Sequence, residues 1–457
     1  MKRFGWQSLV ISSLLVAALT AAAETRPQYG GTLHVVMHTA PSSLDPADTA
    51  QPDSFSRRNL TLMIFETLVA VDDAGRIHAE LATSWQASPG NQRWQFQLRR
   101  GVKFHDGSPL SSEIAAASLR AANPSWNVLA EPDSVIIECE VADSDLLAEL
   151  ALARNAIVKR NPEGKLSGTG PFHIVDWQPE KKLTLAAEES YWRGRPFLDG
   201  VEIEMGRNFH DQLTALELGR ADLVEVAPEQ SHRVSAEGRR VSNSGPMELI
   251  ALLFARDVLS PEDKLLREVL ALSVERASIR SVLLQGAGQP AGGILPTWMS
   301  GYGFVFPIEA DLPRARHARE QVRSTPVWTV GYDVSDPISR LLAERVSLNA
   351  RDAGLALQPT TGATSDLRLV RIPLASENPW VSLAGVAAMT RIPQPKNAGS
   401  SGEDLYATER EMLATQRLIP LFHLPATSAA ATSLKNWSVQ ADGRWSLADA
   451  WLGSEKP

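Results

Sequence analysis

The order of apolar and polar residues predicts a chain that alternates between strands and helices. Residues 93–98 read RWQFQL, so apolar and polar side chains alternate, which is typical of a half-buried strand. A helix follows, with Ser111 or Ser112 as its N-cap. The apolar runs at 30–40 and 418–425 predict further strands. These patterns indicate a mixed α/β protein.

The second half of the chain predicts local parallel sheet. A helical region begins with Ser260 as N-cap and Pro261 at the first helical position. Residues 325–361 predict a strand, then a helix that begins at Asp336 and stops at Gly354, then another strand. A strand–helix–strand unit of this kind joins two parallel strands.

Length and composition indicate more than one compact unit. The chain has 457 residues, of which 44% are hydrophobic and 21% are charged. Such a chain can bury a sizeable core, and two or three units are expected at this length. The single cysteine, Cys139, cannot form an internal disulfide and is expected to pack in a strand rather than act as a nucleophile.

The first residues predict export from the cytoplasm. Lys2 and Arg3 precede the apolar run Leu9–Leu19, and the small residues 21–23 suit cleavage after Ala23. We therefore predict a signal peptide over 1–23 and an exported mature protein, whose periplasmic location is what the family resemblance given below implies; a retained N-terminal anchor is the alternative. No cysteine lies near the cleavage site, so a lipoprotein is not expected.

The charge and the motifs exclude several classes of protein. The formal net charge is −8 and becomes more negative when Lys2 and Arg3 are removed, which argues against a nucleic-acid partner. The sequence contains no G-x-S-x-G, H-E-x-x-H, Walker or G-x-G-x-x-G motif, and its nine histidines are scattered. No catalytic residue, metal ligand or cofactor is therefore predicted.

His105 and Asp106 form the one adjacent pair that raises a chemical question. Such a pair can orient a base, hold a metal ion or stabilise a bend. Asp106 and Gly107 are a strong turn pair, because glycine accepts positive φ and aspartate tolerates it. We expect a structural corner between a strand and a turn.

Residues 59–119 resemble a known family. The segments FETLV, ELATSW and FQLRRGVKFHDGSPL stand in this order. They are similar to the signature region of solute-binding protein family 5, the extracytoplasmic receptors of peptide- and nickel-type ABC importers. The resemblance runs from about residue 30 to 291 and continues more weakly to the end. In this family the KFHDG corner is structural.

The resemblance implies an α/β fold of two lobes, with an extra subdomain on lobe I and a hinge of two segments. Residues 247–255 and 418–425 would form that hinge. The implied divisions are lobe I at 24–250 with its inserted subdomain at about 47–165, lobe II at 251–419, and a return to lobe I at 420–457.

The implied function is that of the substrate-binding component of an ABC importer. It would capture a peptide or another small solute between its lobes, act as a monomer, perform no chemistry and deliver the solute to permease subunits. Two alternatives stay open. One is a degenerate family member that serves as a sensor or structural partner, which a filled cleft would favour. The other is an exported hydrolase, which would need a nucleophile beside a base.

The resemblance also supplies candidate ligand-binding residues. Peptide receptors of the family often carry an acid that holds the peptide's ammonium. Residues 373–386 resemble the segment that contains it, and Ser376 or Glu377 stands at the place of the acid. Glu377 could serve as this acid, whereas its neighbour Asn378 lacks the charge. The other candidates, for which core packing or plain surface is the alternative, are Trp380, Trp298, Tyr302, Trp328, Arg154 and Asn155.

Overall fold

The computed structural model describes residues 26–72, 74–323, 326–362, 364–393 and 401–453. The predicted signal peptide lies outside the described residues. The helices are α1 Phe55–Ile64, α2 Ser112–Ala122, α3 Leu146–Leu150, α4 Phe209–Glu217, α5 Ser231–Ala236, α6 Pro261–Ser273, α7 Arg276–Val282, α8 Thr297–Ser300, α9 Leu312–Glu320, α10 Pro337–Asp352, α11 Pro379–Thr390 and α12 Gly402–Ala414, with short 3-10 turns at Ala153–Asn155, Pro228–Gln230 and Gly303–Val305.

The strands of the first half, in chain order, are β1 Thr32–Val36, β2 Val69–Val71, β3 Ile77–Ala79, β4 Ala82–Ala87, β5 Arg93–Leu98, β6 Asn127–Glu131, β7 Ser134–Glu138, β8 Lys159–Arg160, β9 Leu166–Ser167, β10 Phe172–Gln178, β11 Lys182–Ala187, β12 Gly200–Glu204, β13 Leu223–Glu225 and β14 Arg240–Asn243. Those of the second half are β15 Glu248–Phe254, β16 Gln289–Pro290, β17 Val327–Gly331, β18 Ala356–Thr360, β19 Leu367–Pro373, β20 Leu418–Leu424, β21 Thr427–Ala430, β22 Leu434–Lys435, β23 Ser438–Val439, β24 Trp445–Ser446 and β25 Trp451–Leu452.

A seven-stranded sheet forms the first lobe. Its strand order is β10-β11-β12-β1-β13-β21-β14, and β1 lies parallel to β12 and β13. Leu33 and Val35 of β1 are buried, and they share a hydrophobic cluster with Leu60 and Ile64 of helix α1. Strand β21 comes from the end of the chain, so the C-terminal segment completes this sheet.

A six-stranded sheet forms the second lobe, in the order β16-β20-β15-β19-β17-β18. Strands β17 and β18 pair in parallel, and helix α10 connects them, which confirms the predicted strand–helix–strand unit. The caps follow the sequence as well. Asp336 begins α10, and Ser260 begins α6, where its side chain accepts a hydrogen bond of 3.1 Å from the backbone N–H of Asp263.

A four-stranded antiparallel sheet forms the extra subdomain, in the order β4-β5-β7-β6. Strand β5 shows the alternation that its sequence predicted: Trp94, Phe96 and Leu98 are buried, in a cluster that helix α2 covers. Ser111 is the N-cap of α2. Helix α1 packs on the first lobe rather than here. We therefore propose that the subdomain begins nearer to residue 66 than to residue 47.

The two lobes are connected at residues 244–247 and 425–426. Ser244 and Ala426 hold these crossings together, because the N–H of Ser244 donates to the carbonyl of Ala426 at 2.9 Å and the N–H of Ala426 donates to Ser244 Oγ at 2.8 Å. Strands β15 and β20 lie in the second sheet over their whole lengths. A division at 250 or 420 would cut a strand, so we propose that the lobes divide at the crossings. Within the described ranges, no helix has the length and apolar character needed to span a membrane.

Candidate ligand-binding cleft

A cavity of about 220 Å³ lies between the two lobes, beside the crossings. The first lobe contributes β13, β21 and the start of α1 to its wall. The second lobe contributes β15, β19 and the start of α10, and the crossing residues Pro425 and Ala426 close one end. A solute in this cavity would therefore contact both lobes, which is expected of a binding site that lies beside a hinge.

An ion-pair network forms the wall from the second lobe. Arg371 on β19 donates from Nε to Glu248 on β15 at 3.0 Å and from Nη1 to Asp336 at 3.0 Å. Burial alone would lower the pKa of Arg371, but these two carboxylates raise it. The guanidinium is therefore charged at every physiological pH, and it is shared between two acids.

A carboxylate also stands on the wall from the first lobe. Glu225, the last residue of β13, accepts a hydrogen bond of 2.5 Å from the Ser56 hydroxyl and one of 2.6 Å from the backbone N–H of His38. The His38 ring stacks on Phe209, with centroids 5.0 Å apart. Phe55 and Trp445 add apolar surface to the same cavity, so it combines aromatic walls with a few fixed polar groups.

A second cavity of about 420 Å³ shares Asp53 with the first. Its walls come from both lobes and the subdomain, and they are rich in alanine and arginine. The pair of Asp53 and Arg58 therefore stands between the two cavities. Arg57, Arg154 and Arg444 are among the other residues that line the second cavity.

Contacts across the cleft hold the lobes together. Arg58 of α1 donates from Nη1 to the carbonyl of Leu374 at 2.7 Å, and the Asn378 amide donates to Asp145 of the subdomain at 2.8 Å. His38 Nε2 lies 3.4 Å from Ser335 Oγ of the second lobe. The lobes are thus in contact on more than one side of the cavity, which is a closed arrangement.

The predicted residues of the 373–386 segment lie where the second lobe meets the subdomain. A Cβ atom added at Gly75 would stand 3.2 Å from Glu377 Oε2. Asn378 is the N-cap of α11, and Trp380 packs against the core below it. Glu377, Asn378 and Trp380 are absent from the lining of both cavities, so their predicted role in binding stays a proposal.

Arg154 and Asn155 lie close to that segment, in the subdomain. Arg154 lines the second cavity, and its guanidinium pairs with Glu149 at 2.6 Å. Asn155 is fully buried, and its amide donates to the backbone carbonyl of Glu149 at 2.6 Å. Arg154 and Asn378 therefore lie in neighbouring parts of the interface between the subdomain and the second lobe. Asn155 is buried and stabilises the backbone at Glu149.

The predicted aromatic residues are dispersed. Trp298 is 47% exposed and lies beside the crossing at Gly245. Tyr302 stacks edge-on with Tyr406, and burial raises the pKa of its phenol. Trp328 is a core residue that packs edge-on against Phe254. None of these three lines either interlobe cavity.

His105 and Asp106 form a structural corner. Nδ1 of His105 accepts from the N–H of Gly168, and Nε2 therefore donates to the carbonyl of Gly170 at 3.0 Å. Burial lowers the pKa of His105, which keeps the ring neutral. Asp106 pairs with Lys159 at 2.5 Å. The ring of His105 and the ion pair of Asp106 thus fasten this turn to neighbouring segments, while Asp106 Oδ1 accepts from Ser108 within the turn itself.

Arg371, Glu225 and Thr427 line the first cavity and were missed by the sequence reasoning. The sequence itself contains a signal for two of these residues, Arg371 and Glu225. Arg371 interrupts the apolar run LRLVRIP, and Glu225 interrupts DLVEVAP. A charge inside a buried strand is costly unless it has a partner, so each of these two residues indicates that a partner for its charge lies nearby. Thr427 carries no such signal. Among the described residues, no three His, Cys, Asp or Glu side chains could hold a metal ion together.

The two sheets, the paired crossings and the cavity between the lobes define a two-lobed binding protein of the periplasmic type. Solved structures agree. The binding protein AgaA of A. tumefaciens R10, in complex with agropinic acid, superposes with a TM-score of 0.79 at 17% identity, over 93% of this chain and 99% of that one. At this identity the likeness supports the fold.

The sequence comparisons identify the family. The profile of bacterial extracellular solute-binding proteins, family 5 Middle, matches residues 76–368. The nickel-binding protein NikA of Staphylococcus aureus is 24% identical over 57% of this chain and 55% of its own length. The probable D,D-dipeptide-binding periplasmic protein DdpA of Escherichia coli is 23% identical over 71% and 69%. The chain belongs to family 5 of the bacterial extracellular solute-binding proteins, and it spans little more than half of NikA.

Proposed function

We propose that the protein is the substrate-binding component of an ABC importer and that it captures a small solute in the cavity beside Arg371. The observation that carries this proposal is the position of the cavity, between two lobes that the crossings at 244–247 and 425–426 connect. A solute that touches both walls has more contacts in the closed form than in the open form. Its differential affinity then shifts the protein towards closure.

The family and its relatives support the same reading. DdpA is named for a D,D-dipeptide and NikA for nickel, so members differ in cargo while they share a fold. The chemistry of this chain's own cavity therefore decides which solute it takes. The proposal includes delivery to permease subunits, a monomeric state, a periplasmic location after loss of residues 1–23, and neither lipid anchor nor nucleic-acid partner. It also includes the absence of chemical turnover.

The test is capture of the native cargo. Protein purified from the periplasm of its own source is measured by native mass spectrometry, and any bound solute is released and identified by its mass. Thr39→Trp puts an indole at the cavity wall, whereas His210→Trp changes an exposed residue nearby. We expect a bound solute in the wild type and in His210→Trp, and none in Thr39→Trp. Equal loading of both variants, or no solute with any of the three proteins, would reject the proposal.

A further inference from the structure

The cavity between the lobes is strongly acidic. Five of its lining residues are carboxylates, whereas Arg371 is the one arginine or lysine in that lining; the acids are Asp53, Glu225, Glu248, Asp333 and Asp336. His38 also lines this wall. An excess of negative charge in a partly enclosed space costs free energy, because the charges are poorly screened there.

The cations present do not offset these acids. Arg58 pairs with Asp53, and Arg371 is shared by Glu248 and Asp336. Glu225 and Asp333 have no arginine or lysine within ion-pair distance in the described part of the chain; their hydrogen bonds come from hydroxyl and backbone N–H groups.

A neighbouring carboxyl group reflects the same excess. Burial raises the pKa of Glu229, and the nearby Asp336 raises it further. Arg371 acts on Glu229 in the opposite direction, without reversing the shift. Asp336 therefore acts on this carboxyl group even with Arg371 nearby, in addition to the larger effect of burial.

A buried hydroxyl group in the same wall lacks a partner. Thr427 on β21 is 5% exposed and lines the cavity, yet its Oγ1 makes no hydrogen bond with the described residues. Such an orphaned group destabilises a folded protein, because it has lost its hydrogen bonds to water and gained none in return. Buried polar groups are nearly always satisfied, so Thr427 points to a partner that enters the cavity from outside.

We propose that the cavity takes a solute with a protonated amine or guanidinium group, which the carboxylates of Glu225 and Asp333 hold and the Thr427 hydroxyl helps to position. An ammonium or guanidinium group brings only donors, and these carboxylates offer only acceptors. A solute with a bare carboxylate and no cation would meet repulsion from the same walls. This inference rests on the proposed function and specifies the class of cargo.

The test uses four probes that share a four-carbon spine and differ in their charged groups: putrescine, aminobutanol, butanediol and succinate. Calorimetry with the full mature chain ranks them. Glu225→Gln keeps the shape and removes the charge, and Asp333→Asn does the same in an exposed loop. Glu217→Gln removes an equal charge from the exposed side of α4 and is the matched control.

We expect putrescine to bind best and succinate not at all. Glu225→Gln should weaken putrescine by about tenfold or more, because one partner of a partly buried charge pair is lost, while Glu217→Gln should change it less than about twofold. If Glu225→Gln does not fold, the affinity of Asp333→Asn for putrescine tests the inference instead. A preference for succinate or butanediol, or equal binding by all variants, overturns the inference. A neutral or anionic native cargo in the mass-spectrometry test also overturns it, but leaves the transport proposal intact.

Discussion

The guanidinium of Arg58 donates a hydrogen bond of 2.7 Å to the backbone carbonyl of Leu374, and this bond joins the two lobes. Arg58 belongs to helix α1 on the first lobe, whereas Leu374 follows strand β19 of the second. Asp53 holds the same guanidinium from behind at 2.5 Å, and Nη2 also reaches the carbonyl of Pro373. The side chain is thus fixed in its own lobe and offers its remaining donors to the other.

Removing Arg58 should open the cleft. Arg58→Ala deletes hydrogen bonds from a charged donor that exist in the closed arrangement, each worth about 1.5–3 kcal/mol. The closed population and the apparent ligand affinity should both fall, the latter by about tenfold. Small-angle X-ray scattering should show a larger radius of gyration. Arg57→Ala is the control, since Arg57 bonds carbonyls of its own lobe. An unchanged radius in Arg58→Ala would show that other contacts set closure.

The buried carboxyl group of Glu66 should make stability depend on pH. Burial and the nearby Glu80 raise the pKa of Glu66 from 4.5 to about 7, although Tyr191, Trp192 and Thr169 donate hydrogen bonds to it. The folded state then binds a proton that the unfolded state releases. The free energy of unfolding should therefore fall as pH rises from about 4.5 to about 7, by at most about 3 kcal/mol.

The comparison of Glu66→Gln with the wild type isolates this effect. The amide cannot ionise, so the decline of the unfolding free energy between pH 5 and pH 8 should be shallower in the variant. Glu163→Gln, in an exposed turn, should follow the wild type. Parallel curves for the wild type and Glu66→Gln would show that Glu66 is ionised throughout this range.

The corner at His105 should matter for stability and not for binding. His105→Ala removes hydrogen bonds with Gly168 and Gly170, at a cost of about 1–2 kcal/mol in the free energy of unfolding. Chemical denaturation measures that cost, and calorimetry with the native cargo should give an affinity within about twofold of the wild type. His78→Ala removes an exposed histidine of the same subdomain and should be silent. Normal stability with lost binding would contradict the structural role.

Local patterns predicted several elements of this fold, because the causes of those elements are local. The alternation in β5 and the Ser260 cap of α6 depend on residues a few positions apart. The cleft depends on contacts between distant positions: Glu225 bonds Ser56 across 169 residues, and Arg371 meets Glu248 across 123. Periodicity contains no information about such pairs. It marks Arg371 as a charge that needs a partner without saying which one.

Removing the hydroxyl group of Thr427 should weaken ligand binding without lowering the stability of the protein. Thr427→Val keeps the shape and the strand preference of the side chain and removes the unpartnered hydroxyl group. The unfolding free energy of the empty protein should stay equal or rise by about 1 kcal/mol, whereas affinity for putrescine should fall. Thr427→Ser retains the hydroxyl and should retain the affinity. Loss of stability in Thr427→Val would show that the hydroxyl already has a partner within the protein.

The last prediction sets Glu225 against Glu377, the acid that family resemblance favoured. Glu377 lies at the contact between the second lobe and the hairpin that contains Gly75, outside the lining of the cavity, whereas Glu225 stands in that lining. Putrescine carries two positive charges, and its mono-N-acetyl derivative carries one. The difference between their affinities therefore measures how much one positive charge contributes to binding. In the wild type putrescine should bind much better. Glu225→Gln should shrink that gap by about tenfold, because it removes the carboxylate that faces the charge. Glu377→Gln should leave the gap unchanged, even if it weakens both ligands equally through a looser contact between lobe and subdomain. If Glu377→Gln closes the gap and Glu225→Gln does not, the amine lies against the subdomain, and the carboxylate of the first lobe has a structural role with Ser56 and His38.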